Sequence, residues 1–151
     1  MTIMDIFAIL ASIIGMLTGL SGLIISLINF RSSRLETIKE YYSQGDRREY
    51  VEARKLVYNS DPDGIYKIEP EAVQTILFFN YWGALAYKKY LPMWIFYDIS
   101  SVGVIKLYEN LASYITDRRC GGQEEYGRYF EWLYLRIKQR KLGIKRHITW
   151  S

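Results

Sequence analysis

Residues 6–30 read IFAILASIIGMLTGLSGLIISLINF and contain no charged side chain. As a helix that rises about 1.5 Å per residue, this run is about 37 Å long, more than the roughly 30 Å of a bilayer's hydrocarbon core. Since only a helix satisfies its own backbone groups in lipid, residues 1–30 are predicted to form a transmembrane anchor. A cleaved signal peptide is the alternative interpretation, but it would require a basic segment before the apolar run, and Met1 to Asp5 contain no basic residue.

Basic residues flank the apolar run on one side only. Arg31, Arg34 and Lys39 follow it, and none precedes it. Because Lys and Arg favour the cytoplasmic side of a membrane, we predict a single-pass protein of the inner (plasma) membrane, with its N-terminus outside and its C-terminal domain in the cytoplasm. A single cysteine, Cys120, allows no intrachain disulfide and agrees with a reducing compartment.

Small and polar residues recur along the predicted transmembrane helix at alternating steps of four and three residues. This self-association seam comprises Ala8, Ser12, Gly15, Gly19, Gly22, Ser26 and Asn29. A sustained period of about 3.5 residues predicts a left-handed supercoil, whereas the GxxxG pair Gly15 and Gly19 favours a right-handed crossing by itself. Small residues are common in membrane helices, but their alignment favours a homo-oligomer held together through this helix.

The remaining residues predict an all-α fold, because alternation of period two is nearly absent. We expect a cytoplasmic bundle of about four to five helices, in a domain of residues 31–143, followed by a basic tail of residues 144–151. The predicted helices cover residues 31–44, 47–58, 70–89, 100–117 and 123–141. Gly45 suits the end of the first of them. Asp46 and Glu49 resemble a capping box at the start of the second, and Glu124 and Glu125 are predicted at the start of the last.

Hydrophobic spacing assigns the buried faces of these helices. Residues 72–87 carry no charge and are apolar on nearly every side, which predicts a central core helix. A second membrane span is the alternative, but sixteen residues are short for one. In the last two helices the predicted buried positions are Val104, Ile105, Tyr108, Leu111, Ala112 and Ile115, and then Tyr126, Phe130, Leu133 and Ile137.

No catalytic, metal or cofactor motif is present in the sequence. The one histidine, His147, lies in a basic tail rather than beside a nucleophile, and neither a GxxxxGK[ST] nor a GxGxxG motif occurs. We therefore predict a protein that is not an enzyme and binds no cofactor or metal. Asn80, Asp98, Glu109 and Arg118 form a predicted buried polar cluster, for which structural pairing is favoured over a functional site. An enzyme that uses Asp98 and Arg118 is the least favoured hypothesis.

The net charge of +4 originates at the C-terminal end, where residues 136–151 contain six basic and no acidic side chains. Such residues can be solvated, can bind anionic lipid headgroups or can bind nucleic acid beside Trp150. Because the domain is predicted to be tethered to a membrane, we favour lipid over nucleic acid. The predicted headgroup contacts are Arg31, Arg34, Arg136, Lys138, Arg140, Lys141, Lys145 and Arg146.

Four segments resemble the bacterial and phage domain-of-unknown-function family 4760. They are Ile76 to Tyr87, Met93 to Asp98, Tyr114 to Arg119 and Phe130 to Leu133, within a resemblance that covers residues 31–140. It implies a membrane helix joined to a small helical domain in a bacterial or prophage setting, and no established reaction. Many members carry an acid near Asn80, where this chain has an amide, so the resemblance supports no charge-based role at that position.

These observations favour a membrane-anchored, non-enzymatic module that self-associates through its transmembrane helix and binds an unidentified protein partner. Fourteen tyrosines are consistent with a contact surface, although tyrosine also fills cores. The alternative is a membrane-perturbing effector in conflict between bacteria and phage, such as a defence, toxin or exclusion protein, in which Ser12 and Ser26 line the assembled helices.

Overall fold

The computed structural model describes residues 3–97 and 100–141, and the described residues contain helices and no β-strand. The prediction of an all-α chain with one long apolar N-terminal helix is confirmed. The described residues form five α-helices: α1 (Ile3–Gly45), α2 (Arg48–Asn59), α3 (Glu69–Tyr87), α4 (Ser100–Cys120) and α5 (Arg128–Lys141). Two 3₁₀ helices, Pro62–Ile68 and Met93–Phe96, precede α3 and α4. The predicted tail, residues 144–151, lies outside the described residues.

The chain divides into two compact units, Met1–Lys39 and Glu40–Ser151. Residues 31–39 belong to the first unit, because α1 continues through Phe30 as one helix to Gly45. The predicted end of the membrane anchor at residue 30 stays a prediction.

Helix α1 is helical throughout its uncharged stretch, and two of the hydroxyl groups there donate to the backbone of the same helix. The Thr18 hydroxyl donates to the carbonyl of Ile14 at 2.7 Å, and the Ser21 hydroxyl donates to that of Leu17 at 2.9 Å. Such bonds to the carbonyl four residues earlier allow hydroxyl groups to remain in an apolar helix without a separate partner. This pattern is what a segment surrounded by hydrocarbon requires.

Helix α3 is the centre of the bundle, as its charge-free sequence predicted, and it packs against α2, α5 and the first 3₁₀ helix. Pro70 lies in its first turn. Backbone N–H groups of the first turn have no intrahelical partner, so the N–H that proline lacks costs the helix no hydrogen bond. Ile76, Phe79 and Trp82 are buried, and one side of the helix remains open to solvent.

Most of the positions predicted to be buried in α4 and α5 are buried. In α4, two of the predicted positions are less buried than expected, and two other positions are buried instead. Ile105 and Ala112 are half-buried, whereas Leu107 and Tyr114 are buried. The buried face is broader than the predicted stripe because α2 and the first 3₁₀ helix pack on α4 together with α5. Tyr126 precedes α5 and is half-buried.

Two predicted helix starts are wrong. The residue before α2 is Arg47, which makes no side-chain capping bond, so Asp46 and Glu49 form no capping box. Helix α5 begins at Arg128, and residues 124–127 form a turn before it. Gly127 has a φ of +66° in that turn, a conformation that side-chain-bearing residues rarely adopt.

Candidate functional site

Helix α1 presents an apolar surface that nothing in its own unit covers. Thirteen large apolar side chains between Ile9 and Phe30 are at least half exposed, and the helix is long and apolar enough to cross a membrane by length and composition. A Cβ atom added at Gly15, Gly19 or Gly22 would meet no other atom within 4 Å. The seam therefore leaves room for the close approach of another helix. Ala8 lies in α1, and its side chain is outside the described part of the structure.

The basic residues after the apolar run remain at the surface. Arg31 is exposed and Arg34 is half-buried, with its guanidinium carbon 5.9 Å from the centre of the Phe30 ring. Both side chains belong to the first unit.

The second unit contains a groove of about 550 Å³. This tyrosine groove is formed by the last turns of α1, by α2 and by the start of α4, with Phe79 contributed by α3. Its lining residues are Tyr41, Tyr42, Gly45, Asp46, Val51, Arg54, Lys55, Tyr58, Asn59, Phe79, Gly103, Val104 and Leu107. The volume is in the range of pockets that bind small molecules or inserted side chains.

Arg54 is the unusual residue of the groove, because it is half-buried without an ion pair to any described carboxylate. Its Nη2 donates to the carbonyl of Gly45, and its guanidinium carbon lies 5.0 Å from the centre of the Phe78 ring. Burial lowers the pKa of Arg54, and the nearby Tyr41 and Asp46 act in the opposite direction. Burial also raises the pKa of Tyr41 to about 12, and the positive charge of Arg54 acts in the opposite direction.

A second surface lies where the end of α3, the 3₁₀ helix Met93–Phe96 and α5 meet. We call it the aromatic–basic face. A depression of about 270 Å³ there is lined by Ala86, Tyr87, Lys89, Met93, Tyr97, Trp132 and Arg136. Lys88, Tyr90 and Trp94 are exposed residues of the same chain segment. The run Tyr87-Lys88-Lys89-Tyr90 is a sequence signal for this surface that the prediction of basic contacts did not include.

The predicted headgroup contacts of α5 separate into two groups. Arg136 lines the aromatic–basic face, and Arg140 lies over the ring of Tyr97 at 4.0 Å. Lys138 instead bonds to Glu109 and Tyr134 on another side of the bundle. Lys141 is exposed at the end of α5. Lys145 and Arg146 lie outside the described residues.

The predicted buried polar cluster is not one site in the structure. The side-chain oxygen of Asn80 accepts a bond from the backbone N–H of Tyr129 at 2.9 Å. Glu109 is exposed and pairs with Lys138. Arg118 pairs with Glu69 and bonds to the hydroxyl of Tyr114, while Asp98 lies outside the described residues. The three described members have separate partners, so the expectation of a single cluster is wrong for them.

Within the described ranges, no group of three or more His, Cys, Asp and Glu side chains could hold a metal ion. The ion pairs of Arg118 and of Arg119 with Glu131 connect different helices, which gives these charged groups a structural role. The absence of enzymatic activity and of a cofactor stays a prediction.

No protein-family model, curated protein or solved structure matches this chain. Membership of the domain-of-unknown-function family 4760 therefore stays a prediction, based on the four segments that resemble it.

Proposed function

We propose that this protein is a non-enzymatic interaction module anchored by a single transmembrane helix, α1. The observation that supports this most directly is the uncovered apolar surface of α1. Each large apolar side chain left in water forgoes roughly 1.5–3 kcal/mol of burial free energy. Thirteen such side chains amount to tens of kcal/mol, more than the roughly 5–15 kcal/mol that stabilises a folded domain. A lipid environment removes this cost.

The proposed orientation follows from Arg31, Arg34 and Lys39, which favour the cytoplasm for the second unit. Fractionation tests the anchor. We expect the full chain in the membrane pellet after ultracentrifugation, resistant to extraction with high salt and released by detergent. A full-length product in the detergent-free supernatant would contradict the anchor, and proteolysis of the second unit in intact cells would contradict the orientation.

We further propose that α1 helices associate along the small-residue seam, because backbones can approach closely where side chains are short. Gly19→Ile fills the seam with a branched side chain. Ser21→Ile is the matched control, since Ser21 points to another side of the helix, about 130° from the seam at 100° per residue. Chemical cross-linking in membranes should lose the oligomer ladder in Gly19→Ile only. An unchanged ladder in Gly19→Ile would show that the seam is not an interface.

The tyrosine groove is the proposed site for a protein partner that carries an acidic side chain. Tyrosine and arginine are enriched among residues that dominate binding energy. Arg54 also has N–H donors that no described residue occupies, in the planar geometry that carboxylates accept. Gly103 lines the groove, and a Cβ atom there meets nothing within 4 Å. Gly103→Met should therefore obstruct the groove without disturbing the core.

Gly64→Met is the matched control for the groove, because Gly64 also has open space around it and does not line the groove. Affinity purification from native membranes with quantitative mass spectrometry tests the proposal. A protein recovered with the wild type and Gly64→Met, but lost with Gly103→Met and with Arg54→Gln, supports it. Equal recovery of all partners with every variant contradicts it.

A membrane-perturbing effector is the second candidate function, supported by the hydroxyl groups of Ser12 and Ser26 along the seam. Inducible expression separates the two functions. An effector would collapse the membrane potential in cells that express the wild type and spare it in cells that express Gly19→Ile. Harmless expression of the wild type would leave the interaction module as the better account.

A further inference from the structure

The aromatic–basic face combines rings and cations that the sequence separates by more than forty residues. Tyr87 is the last residue of α3 and Lys89 lies just after that helix, whereas Trp132 and Arg136 belong to α5. The rings of Tyr87 and Trp132 pack edge to face, with centres 5.3 Å apart. The guanidinium carbon of Arg136 lies 5.8 Å from the centre of the Trp132 ring. The depression between them is therefore walled by aromatic rings and bordered by positive charge.

The cations of this face have no ion-pair partner among the described residues, unlike several other arginines and lysines of the bundle. Arg118, Arg119 and Lys138 each form an ion pair with a glutamate. In contrast, no described carboxylate pairs with Lys89 or Arg136, and no acidic residue lines the depression. The face therefore carries positive charge that the described residues do not neutralise, and it complements an anionic partner.

The backbone of Lys89 is a second and independent sign of function. Its φ of +65° is in the left-handed region, and its N–H bonds to the carbonyl of Ala86 at the end of α3. Helices that end this way usually have glycine at this position, because a Cβ atom is unfavourable there. Because non-glycine residues in this region cluster at binding and active sites, Lys89 is a candidate for a side chain that binds a ligand.

We propose that the aromatic–basic face binds the headgroups of anionic phospholipids. This inference rests on the proposed membrane anchor, because a tethered domain meets the lipid surface at high effective concentration. Tyrosine and tryptophan rings are enriched at the level of the headgroups, and each basic residue near an anionic surface increases membrane partition about fivefold. The proposal adds Tyr87, Lys89 and Tyr97 to the predicted contacts Arg136 and Arg140, and it removes Lys138.

The test uses the full-length chain in nanodiscs of phosphatidylcholine, with or without phosphatidylglycerol. A headgroup-spin-labelled lipid quenches tryptophans close to the surface. In a Trp150→Phe background, Trp94 is the reporter because it is 53% exposed, whereas Trp82 and Trp132 are buried. We expect stronger quenching in discs that contain phosphatidylglycerol, and loss of that increment in the double variant Lys89→Glu/Arg136→Glu.

Two comparisons separate the face from general charge and from stability. Lys67→Glu/Lys106→Glu changes the net charge by the same amount, at the 3₁₀ helix Pro62–Ile68 and at α4, and it should keep the increment. Lys89→Gly should raise the melting temperature by relieving the strained backbone and should weaken the phosphatidylglycerol-dependent association about fivefold. Equal quenching in both lipid compositions, or equal loss in the two double variants, would overturn the proposal for this face. A chain that fails to enter nanodiscs would instead overturn the anchor on which it rests.

Discussion

The contact between α3 and α5 is so close at Gly83 that one added methyl group should destabilise the bundle. A Cβ atom built on Gly83 would lie 2.5 Å from the carbonyl oxygen of Tyr129 and 2.9 Å from its carbonyl carbon. An ordinary contact begins at 3.4 Å. Because the obstructing atoms are backbone, Gly83→Ala can be accommodated only if α5 moves away from α3.

The magnitude follows from three terms. Overpacking against a fixed neighbour costs roughly 1–3 kcal/mol. Movement of α5 also weakens the bond from the Tyr129 N–H to Asn80, worth about 1 kcal/mol. Replacement of glycine by alanine inside a helix returns about 1 kcal/mol. We therefore expect a net loss of about 1–3 kcal/mol in the free energy of unfolding, which lowers the melting temperature by roughly 5–15 °C for a unit of this size.

Gly103→Ala is the control, because Gly103 also lies in a helix but has no atom within 4 Å of its Cβ position. It should gain about 0.5–1 kcal/mol from the lower entropy of the unfolded chain. The assay is denaturation of the full chain in detergent micelles, followed by near-ultraviolet circular dichroism, which reports the packed aromatic rings of the second unit. Equal stabilities of Gly83→Ala and Gly103→Ala would refute the close approach of α3 and α5.

Three further predictions concern the interior and the surface of the bundle. Asn110→Leu should cost roughly 1–3 kcal/mol in chemical denaturation, because the buried amide bonds to carbonyls at the end of α2. Glu69→Gln should change stability by less than about 1 kcal/mol, since its ion pair with Arg118 is substantially exposed. Burial raises the pKa of Tyr41 and Tyr108 from 10.0 to about 12. The free energy of unfolding should therefore hold below pH 10 and fall between pH 10 and 12, where the unfolded chain ionises these phenols and the folded chain does not. Replacing both tyrosines with Phe should remove part of that fall in a pH titration of the melting temperature.

The order of the helices could be read from the sequence because the signals are local. The charge-free run of residues 6–30 is longer, as a helix, than the hydrocarbon core of a bilayer. It therefore predicts this part of α1 without any information about the helices that pack elsewhere in the chain. The uncharged stretch from Ala72 to Tyr87 likewise predicts a central helix, because apolar groups on several sides require several packing partners. Helix ends were harder to predict. The last helix was expected to begin at residue 123, but residues 124–127 form a turn and α5 begins at Arg128.

Only the tertiary structure decided which distant side chains meet. Periodicity identifies the buried face of a helix, but it does not determine which helix packs there or at what angle. For that reason the sequence suggested one polar cluster where the structure has separate pairs, such as Arg118 with Glu69 and Asn80 with Tyr129. The aromatic–basic face likewise forms where α5 packs against α3 and the 3₁₀ helix Met93–Phe96 lies beside them. Local patterns determined the elements of this protein, and the packing of its helices determined the surfaces they share.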